Sequence, residues 1–404
     1  MDSSGQGFRL SIGRESSMPC RVLFMISSMR SGGSEQQTLL LLQHLDRSRF
    51  TPHLYLSERA GDLLPRIPDD VIIHAYHDES RTPVLYVPGQ MLRRQTRHLA
   101  DLLKHESIEV VYDRTFHMTM IAGPAARRWR IPRISTIVSP PEFAVPMVES
   151  RFIWLKRRRL ARAYRQSHRV LAVSRQAADS AERFYRLPSG STDVIRNPVD
   201  QQRLVQLSAE DPPPRDDRLT LVCVARMTEE KGHRDLLTAL RIAQTNWPAE
   251  LPPLRLWLVG DGPLRRQLES DWSQQGGPFQ VEFLGKQENP AKFIKTADAL
   301  VLPSLFEGMP NVVLEAMALH TPVIATRVGG TLELQRDQPT ILWAEPSHPA
   351  SLANAILDFA THREAAVARA DAADSMIKAH HDVQKCVGRI ESHLLQACEE
   401  AGHS

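Results

Sequence analysis

Short, wholly apolar runs alternate with stretches of helical periodicity along most of the chain. The first run, RVLFMIS at 21–27, reads as a buried strand. A loop at 28–33 follows, and 34–45 then places Leu39, Leu40, Leu42 and Leu45 at helical spacing. Further strand-like runs fall at 71–75, 108–112, 133–138 and 170–173, with helix-like stretches at 90–104, 118–129 and 152–166. Apolar strands alternating with helices predict a parallel sheet covered on both faces. Ser174, just past a strand, is placed to cap the helix that follows.

At 206–218 (QLSAEDPPPRDDR) the pattern breaks. Three successive prolines flanked by charge suit neither helix nor central strand and predict a linker. A second alternating series follows. Strands are expected at 219–225, 255–259, 281–284, 299–302, 323–325 and 340–342, and helices at 234–245, 264–275, 291–295, 311–319 and 352–362. The expected organisation is a polar tail at 1–18, a Rossmann-like domain at 19–205, the linker, a second Rossmann-like domain at 219–381 and an amphipathic helix at 382–404. The fold class is α/β, with two doubly wound domains facing across a cleft. Ligands of such sheets bind beyond the carboxyl ends of the strands.

Composition narrows the function classes. With 42% hydrophobic residues over 404 positions the chain has core enough for two domains, and a net charge of +3 gives nucleic-acid binding no support. None of the four cysteines forms a CxxC pair or stands at zinc-finger spacing. Cys20 and Cys223 lie in strand-like runs and read as free buried thiols, so nothing asks for an oxidising compartment. No run has the length and apolarity of a membrane span. The expectation is a soluble cytoplasmic protein without metal or cofactor.

The candidate chemistry follows the strands. After the first come Ser31-Gly32-Gly33-Ser34 and a helix, which could bring amides against a phosphate or sugar or could be only a tight turn. After the first strand of the second half, Arg226 and Lys231 could clamp a diphosphate or could be solvated surface cations. The richest segment is LPSLFEGMPNVVLEAM at 302–317. Pro310 suits the first position of a helix. Glu307 falls in the loop before it, and Glu315 inside it, roughly 7–8 Å along the axis from Pro310 at the rise of an α-helix. Gly308, Met309, Pro310, Asn311 and Val312 would supply helix-start amides between the two carboxylates. Such an arrangement suits the sugar, diphosphate and ribose of a nucleotide sugar.

These residues resemble a known family. Glu307 and Glu315 fit the E-x7-E signature of the family 4 retaining glycosyltransferases. The stretches GGSEQQTLLL, VSRQAADS, VIRNPVD, VARMTEEKGHRDLLTAL, LVGDGPLRRQLE and LPSLFEGMPNVVLEAMALHTPVIATRVGG are similar to that family, in family order, over nearly all of the chain from Arg21 to Cys398. The resemblance implies a GT-B fold, with the C-terminal helix crossing back to the N-terminal domain. It also implies a nucleoside-diphosphate sugar donor, UDP-linked in most members, as substrate rather than cofactor. Arg226 and Lys231 match the cations on the leaving diphosphate, Glu315 the ribose ligand, Glu307 the contact to donor-sugar hydroxyls, and Gly32 and Gly33 the loop over the donor. Transfer would keep the anomeric configuration, need no metal, and give the carboxylates no nucleophilic role, unlike retaining glycosidases. The acceptor would be a glycan or a lipid-linked sugar. His117, Ser139, Gly260, Lys286 and Gly330 are further candidate contacts. Where many members carry a His after the 133–138 strand, this chain has Ser139-Pro140-Pro141. An epimerase or hydrolase using the same donor pocket, or a non-catalytic sugar-nucleotide-binding protein, are the alternatives.

Residues 151–169 (RFIWLKRRRLARAYRQSHR) hold eight Lys/Arg and no acid, with aromatic residues at the start. They suit an anionic membrane surface on the inner face, or a solvated helix with its apolar side packed inward.

Overall fold

The computed structural model describes residues 18–79, 89–148, 152–273 and 278–402. Seven strands form the first sheet: β1 (Cys20–Ile26), β2 (Phe50–Leu56), β3 (Ile72–Ala75), β4 (Val110–Arg114), β5 (Arg133–Ile137), β6 (Arg169–Ala172) and β7 (Thr192–Val194). Six form the second: β8 (Leu219–Val224), β9 (Leu254–Val259), β10 (Gln280–Gly285), β11 (Ala299–Leu302), β12 (Val323–Thr326) and β13 (Leu342–Ala344). The strand orders are β3-β2-β1-β4-β5-β6-β7 and β10-β9-β8-β11-β12-β13. Every pairing is parallel, as the apolar runs predict; in β1, Phe24 and Ile26 pack on one face and Leu23 and Met25 on the other. The order reverses between β1 and β4 and between β8 and β11, which opens a crevice at the carboxyl end of each sheet.

Most expected elements lie within two residues of their predicted bounds. Ser174 accepts from the backbone N–H of Ala177 at 3.2 Å and caps the Arg175–Tyr185 helix. The periodicity misses β2, whose apolar run is broken by Pro52 and His53, and the Arg363–His380 helix, whose inward face is built largely of Ala366, Ala370 and Ala373. The last strand, expected at 340–342, is β13 two residues later. Pro310 is the N-cap rather than the first helical residue: its ψ of 105° is extended, and the helix begins at Asn311.

The passage between sheets precedes the segment predicted as linker. The Gln201–Ala209 helix, capped by Asp200, runs into the 206–218 range because QLSA continues its helical register. Leu204 and Leu207 pack on the core of the second half. The chain therefore changes sides between β7 and this helix. It returns at His381–Asp382, where Val199 donates to the His381 carbonyl at 2.8 Å and Val199 and Asp382 form a parallel bridge. The final helix, Val383–Gly402, lies against the first sheet, with Val387, Ile390, Leu394 and Ala397 in the core beneath β1. Cys398 meets Cys20 there in a disulfide spanning 378 positions. Cys20 is thus not the free thiol its strand context suggested, because the returning helix brings a partner that sequence distance conceals; Cys223 and Cys386 are free and buried.

Candidate functional site

The short turn Glu229–Lys231 after β8 is seated on the end of β11 by Gly232. Its φ is +65°, and a Cβ there would lie 2.0 Å from the Pro303 carbonyl oxygen, so only glycine lets the two segments close. Lys231 consequently reaches Glu307: its ammonium donates to Oε1 at 2.6 Å, and Ser304 Oγ donates to the same oxygen at 2.7 Å. Glu307 is 8% exposed. Arg226 differs. Its side chain is 70% exposed, and its nearest recorded acid is Glu230 at 3.8 Å.

The Asn311–Ala318 helix starts four residues after Glu307 and is tied to the opposite half. Asn311 Nδ2 donates to the Gly33 carbonyl at 2.9 Å, and Asn311 Oδ1 accepts from Asn197 Nδ2 at 2.7 Å. Asn197 Oδ1 accepts in turn from Arg114 Nη2 at 3.0 Å. This chain of side chains carries the glycine loop after β1, the end of β4 and the helix start into one assembly. A Cβ at Gly33 would stand 3.2 Å from Asn311 Nδ2.

Glycines set the contact on the other flank. A Cβ at Gly308 would lie 2.0 Å from the Val138 carbonyl and 3.0 Å from the Ser139 Cα, so the loop carrying Glu307 is pressed on the segment after β5. A Cβ at Gly330 would lie 1.9 Å from the Gly308 carbonyl and 3.1 Å from the Ser174 side chain. Met309 is buried and its carbonyl accepts from Asn197, while Val312 is half-buried. Gly260, with φ +138° and a Cβ direction 2.0 Å from the Ala225 carbonyl, serves the turn itself. Lys286 crosses the cleft to Asp62 at 2.5 Å, and Asp62 also accepts from Ser31 beside the glycine loop. Burial alone would raise the Asp62 carboxyl; the hydrogen bonds from Lys286 and Ser31 outweigh it and hold the group at about 2. His117 stacks on Phe116, and burial with nearby Lys156 lowers its pKa.

Glu315 lies further along the same helix. Burial pushes its carboxyl up to about 7. It lines a cavity of about 110 Å³ with Gln36, Arg66, Asp200, Asn289 and Asn311, residues of both halves. That volume is below the ~300 Å³ at which small-molecule pockets begin. A larger cavity of about 530 Å³ is lined by Asp298 and Thr321, at the amino ends of β11 and β12, away from the crevice.

Glu35, Arg114 and Asn197 are site residues that the sequence reading did not single out. Glu35 stands in the first turn of the helix after the glycine loop. Burial raises its pKa against the opposing pull of its own backbone N–H, Arg226 and Arg114, which places it with those cations in the crevice. Both Glu35 and Asn197 fall within stretches already notable for the family resemblance, GGSEQQ and VIRNPVD; Arg114 carried no signal.

Among the described residues one group has metal-ligand chemistry, His53, His74 and Glu106. Nδ1 of His53 and Nε2 of His74 are 3.0 Å apart, with ring centroids 5.3 Å apart and planes 5° from parallel. Two imidazoles reach that centroid distance only when these nitrogens point at each other, the geometry of a shared N–H···N hydrogen bond rather than of lone pairs converging on an ion.

Comparison with known proteins agrees with this architecture. Residues 31–203 match the family described as Glycosyltransferase Family 4 and residues 218–362 the one described as Glycosyl transferases group 1, together more than half of the chain. An uncharacterized glycosyltransferase of Methanocaldococcus jannaschii, MJ1607, is 30% identical over 198 residues, 46% of this chain and 50% of that protein. The lipopolysaccharide core biosynthesis glycosyltransferase LpsE of Rhizobium meliloti is 32% identical over 140 residues, 35% of this chain and 39% of its own. The chain thus matches half or less of the length of these curated relatives. Among solved structures, Anabaena Alr3699/HepE in complex with UDP superposes with a TM-score of 0.70 at 20% identity, covering 93% of this chain and 100% of that one. Two facing parallel sheets, a site at their carboxyl ends and both family matches place the chain in the glycosyltransferases, as a member of the Glycosyl transferases group 1 with the GT-B fold.

Proposed function

We propose that the protein transfers a hexose or N-acetylhexosamine from a nucleoside-diphosphate sugar, UDP-linked, to a glycan or lipid-linked acceptor in surface polysaccharide or glycoconjugate synthesis, with retention of anomeric configuration. The observation that carries the reading is the Lys231–Glu307 pair four residues before the Asn311–Ala318 helix, whose first residue donates to the Gly33 carbonyl of the opposite half. In this reading the helix-start amides and the cations Arg226 and Lys231 receive the charge that develops on the departing diphosphate, so the protein itself supplies the stabilisation a metal would otherwise give. Glu307, held by Lys231 and Ser304, accepts hydrogen bonds from donor-sugar hydroxyls. Glu315 accepts from the ribose. The solved relative that binds UDP-glucose, and the relatives named for lipopolysaccharide core and teichuronic acid biosynthesis, support donor and pathway class.

The test is a thermal-shift panel of nucleoside diphosphate sugars, followed by NMR of the product formed from the stabilising donor with a glycan acceptor. An α-linked donor giving an α-linked product is expected. Free sugar or an epimer as the sole product, with or without acceptor, would replace this reading by a hydrolase or epimerase.

A further inference from the structure

Three arginines from distant parts of the chain meet beside the two passages between the sheets. Arg196 directly precedes Asn197 on the outgoing passage. Arg336 follows the Gly329–Leu334 turn of the second half, and Arg389 lies on the returning Val383–Gly402 helix. Hydrogen bonds bring them to one place. Arg389 Nη2 donates to the Val194 carbonyl, two residues before Arg196, at 3.0 Å. Arg336 Nη1 lies 3.5 Å from Nε2 of His380, and the ring of the next residue, His381, meets the Asn197 carbonyl at 2.8 Å.

Their charge is poorly answered. The Arg196 side chain is only 22% exposed, yet its acidic neighbour Glu333 is 4.0 Å away. Glu333 also accepts from the Gln176 backbone N–H at 3.1 Å, and Asp382 accepts from the Lys385 backbone N–H at 2.9 Å. Among the described residues Arg336 and Arg389 form no ion pair; both are exposed, and their recorded partners are an imidazole and a carbonyl. The surplus field is felt nearby. Burial lowers the pKa of Arg196, and Arg336 and Arg389 lower it further against Glu333. Burial, then Arg336 and Arg196, lower that of His380, with Asp337 opposing. The His381 ring is fully buried, and burial holds its pKa at about 4 against the pull of the Asn197 carbonyl, with Arg196 adding to the effect. Its Nε2 has no hydrogen-bond partner among the described residues. Like charges gathered around a half-buried guanidinium repel one another, and an anion bound among them relieves that repulsion.

We infer that Arg196, Arg336 and Arg389 form a binding site for a small phosphate-bearing anion, and that its occupant joins the outgoing passage, the second half and the returning helix. Guanidinium forks pair with phosphate oxygens two at a time and shed water more readily than an ammonium does. Three forks arriving from three segments suit the tetrahedral oxygens of a phosphate better than a planar carboxylate or a halide. The occupant takes Arg196 from Glu333, whose own turn touches the crevice: the Gly330 N–H donates to the Glu307 carbonyl at 3.4 Å. The site is separate from the cations Arg226 and Lys231, and it does not rest on the transferase reading.

The experiment is calorimetric titration of the full chain with inorganic phosphate, pyrophosphate and glycerol 3-phosphate, at constant ionic strength and with UDP in excess so that the crevice does not take the anion. The unaltered chain binds one anion. Arg336→Gln and Arg389→Gln each weaken that binding by at least about 10-fold. Both variants keep the thermal midpoint and the UDP affinity of the parent, which also reports that they fold. Tighter binding of glycerol 3-phosphate than of inorganic phosphate assigns the site to an organic phosphate, and the reverse order to the free ion. Failure of all three anions to bind overturns the site, and so does anion binding that both variants retain or that chloride reproduces. Weakening in only one of the two variants overturns the joining of the segments. Arginine-dependent phosphate binding by a chain that ignores UDP and every nucleoside diphosphate sugar of the panel would retire the transferase reading and leave this site standing.

Discussion

The Lys231 ammonium donates to Glu307 Oε1 at 2.6 Å, joining the turn after β8 to the loop after β11. In the proposed function one pair would hold both the cation for the departing phosphate and the carboxylate for the sugar, and the two side chains cannot be altered independently. Removing Lys231 strands a largely buried carboxylate, so Lys231→Ala is expected to cost about 1–3 kcal/mol of stability as well as activity. Arg226 is mostly exposed and separates the two effects. Arg226→Ala is expected to leave stability within about 0.5 kcal/mol and to lower turnover about 100- to 1000-fold. Denaturation midpoints and steady-state rates of both variants check this, and near-normal turnover in Arg226→Ala would refute its role.

Glu315 gives the site a pH signature. Burial raises its carboxyl to about 7, and in the proposed role the ionised form would accept from ribose hydroxyls more strongly than the neutral one. Affinity for UDP is expected to rise as the pH climbs through about 7 and then level off. In the empty protein the same shift favours the fold below the ordinary carboxyl pKa, a contribution lost as the pH rises through about 7. Calorimetric titration with UDP across neutrality measures the first effect; an equally steep pH profile in Glu315→Gln would assign it elsewhere.

Gly308 tests closure. An alanine Cβ there would stand 2.0 Å from the Val138 carbonyl of the other half, so the substitution strikes a contact between the two halves. Gly308→Ala is expected to leave both sheets folded and to cost about 100-fold in turnover through misplacement of Glu307. Small-angle scattering should show the variant failing to contract on UDP addition. A variant that contracts like the parent would show that the loop yields instead.

The Cys20–Cys398 disulfide pins the last helix to the first strand. Cys398→Ser is expected to lower stability by about 2–5 kcal/mol under non-reducing conditions. The difference from the parent should vanish in reductant. Chemical denaturation of both proteins with and without dithiothreitol measures it, and a parent indifferent to reductant would mean the bond contributes nothing.

Local signals made much of this legible. Apolar strands such as β1, β9 and β11 announce a parallel sheet because both faces are buried, and Glu307 and Glu315 stand in one short segment that the family resemblance singles out, their spacing alone being a weak signal. Relationships between distant positions stayed hidden. Nothing near Cys20 indicates that Cys398 will return to it. Asn197 stands in the VIRNPVD stretch with no role assigned to it, yet it links Arg114 to Asn311 across the cleft. The 206–218 segment has a related limit: proline runs mark where chain cannot be helical, and they do not reveal that 206–209 close a helix whose Leu204 and Leu207 pack on the second core. Likewise β2 is a strand through pairing with β1 and β3, which overrides its Pro52 and His53.

The two passages between the sheets lie side by side, fastened where Val199 meets His381 and where the His381 ring meets the Asn197 carbonyl at 2.8 Å. A single tether would let the halves swivel and drift. A doubled, cross-braced one works as a door hinge with a fixed pin, leaving one rotation soft and resisting twist and slide. Any relative movement of the halves would then return the same residues to the same opposing partners, with registration across the crevice inherited from the backbone.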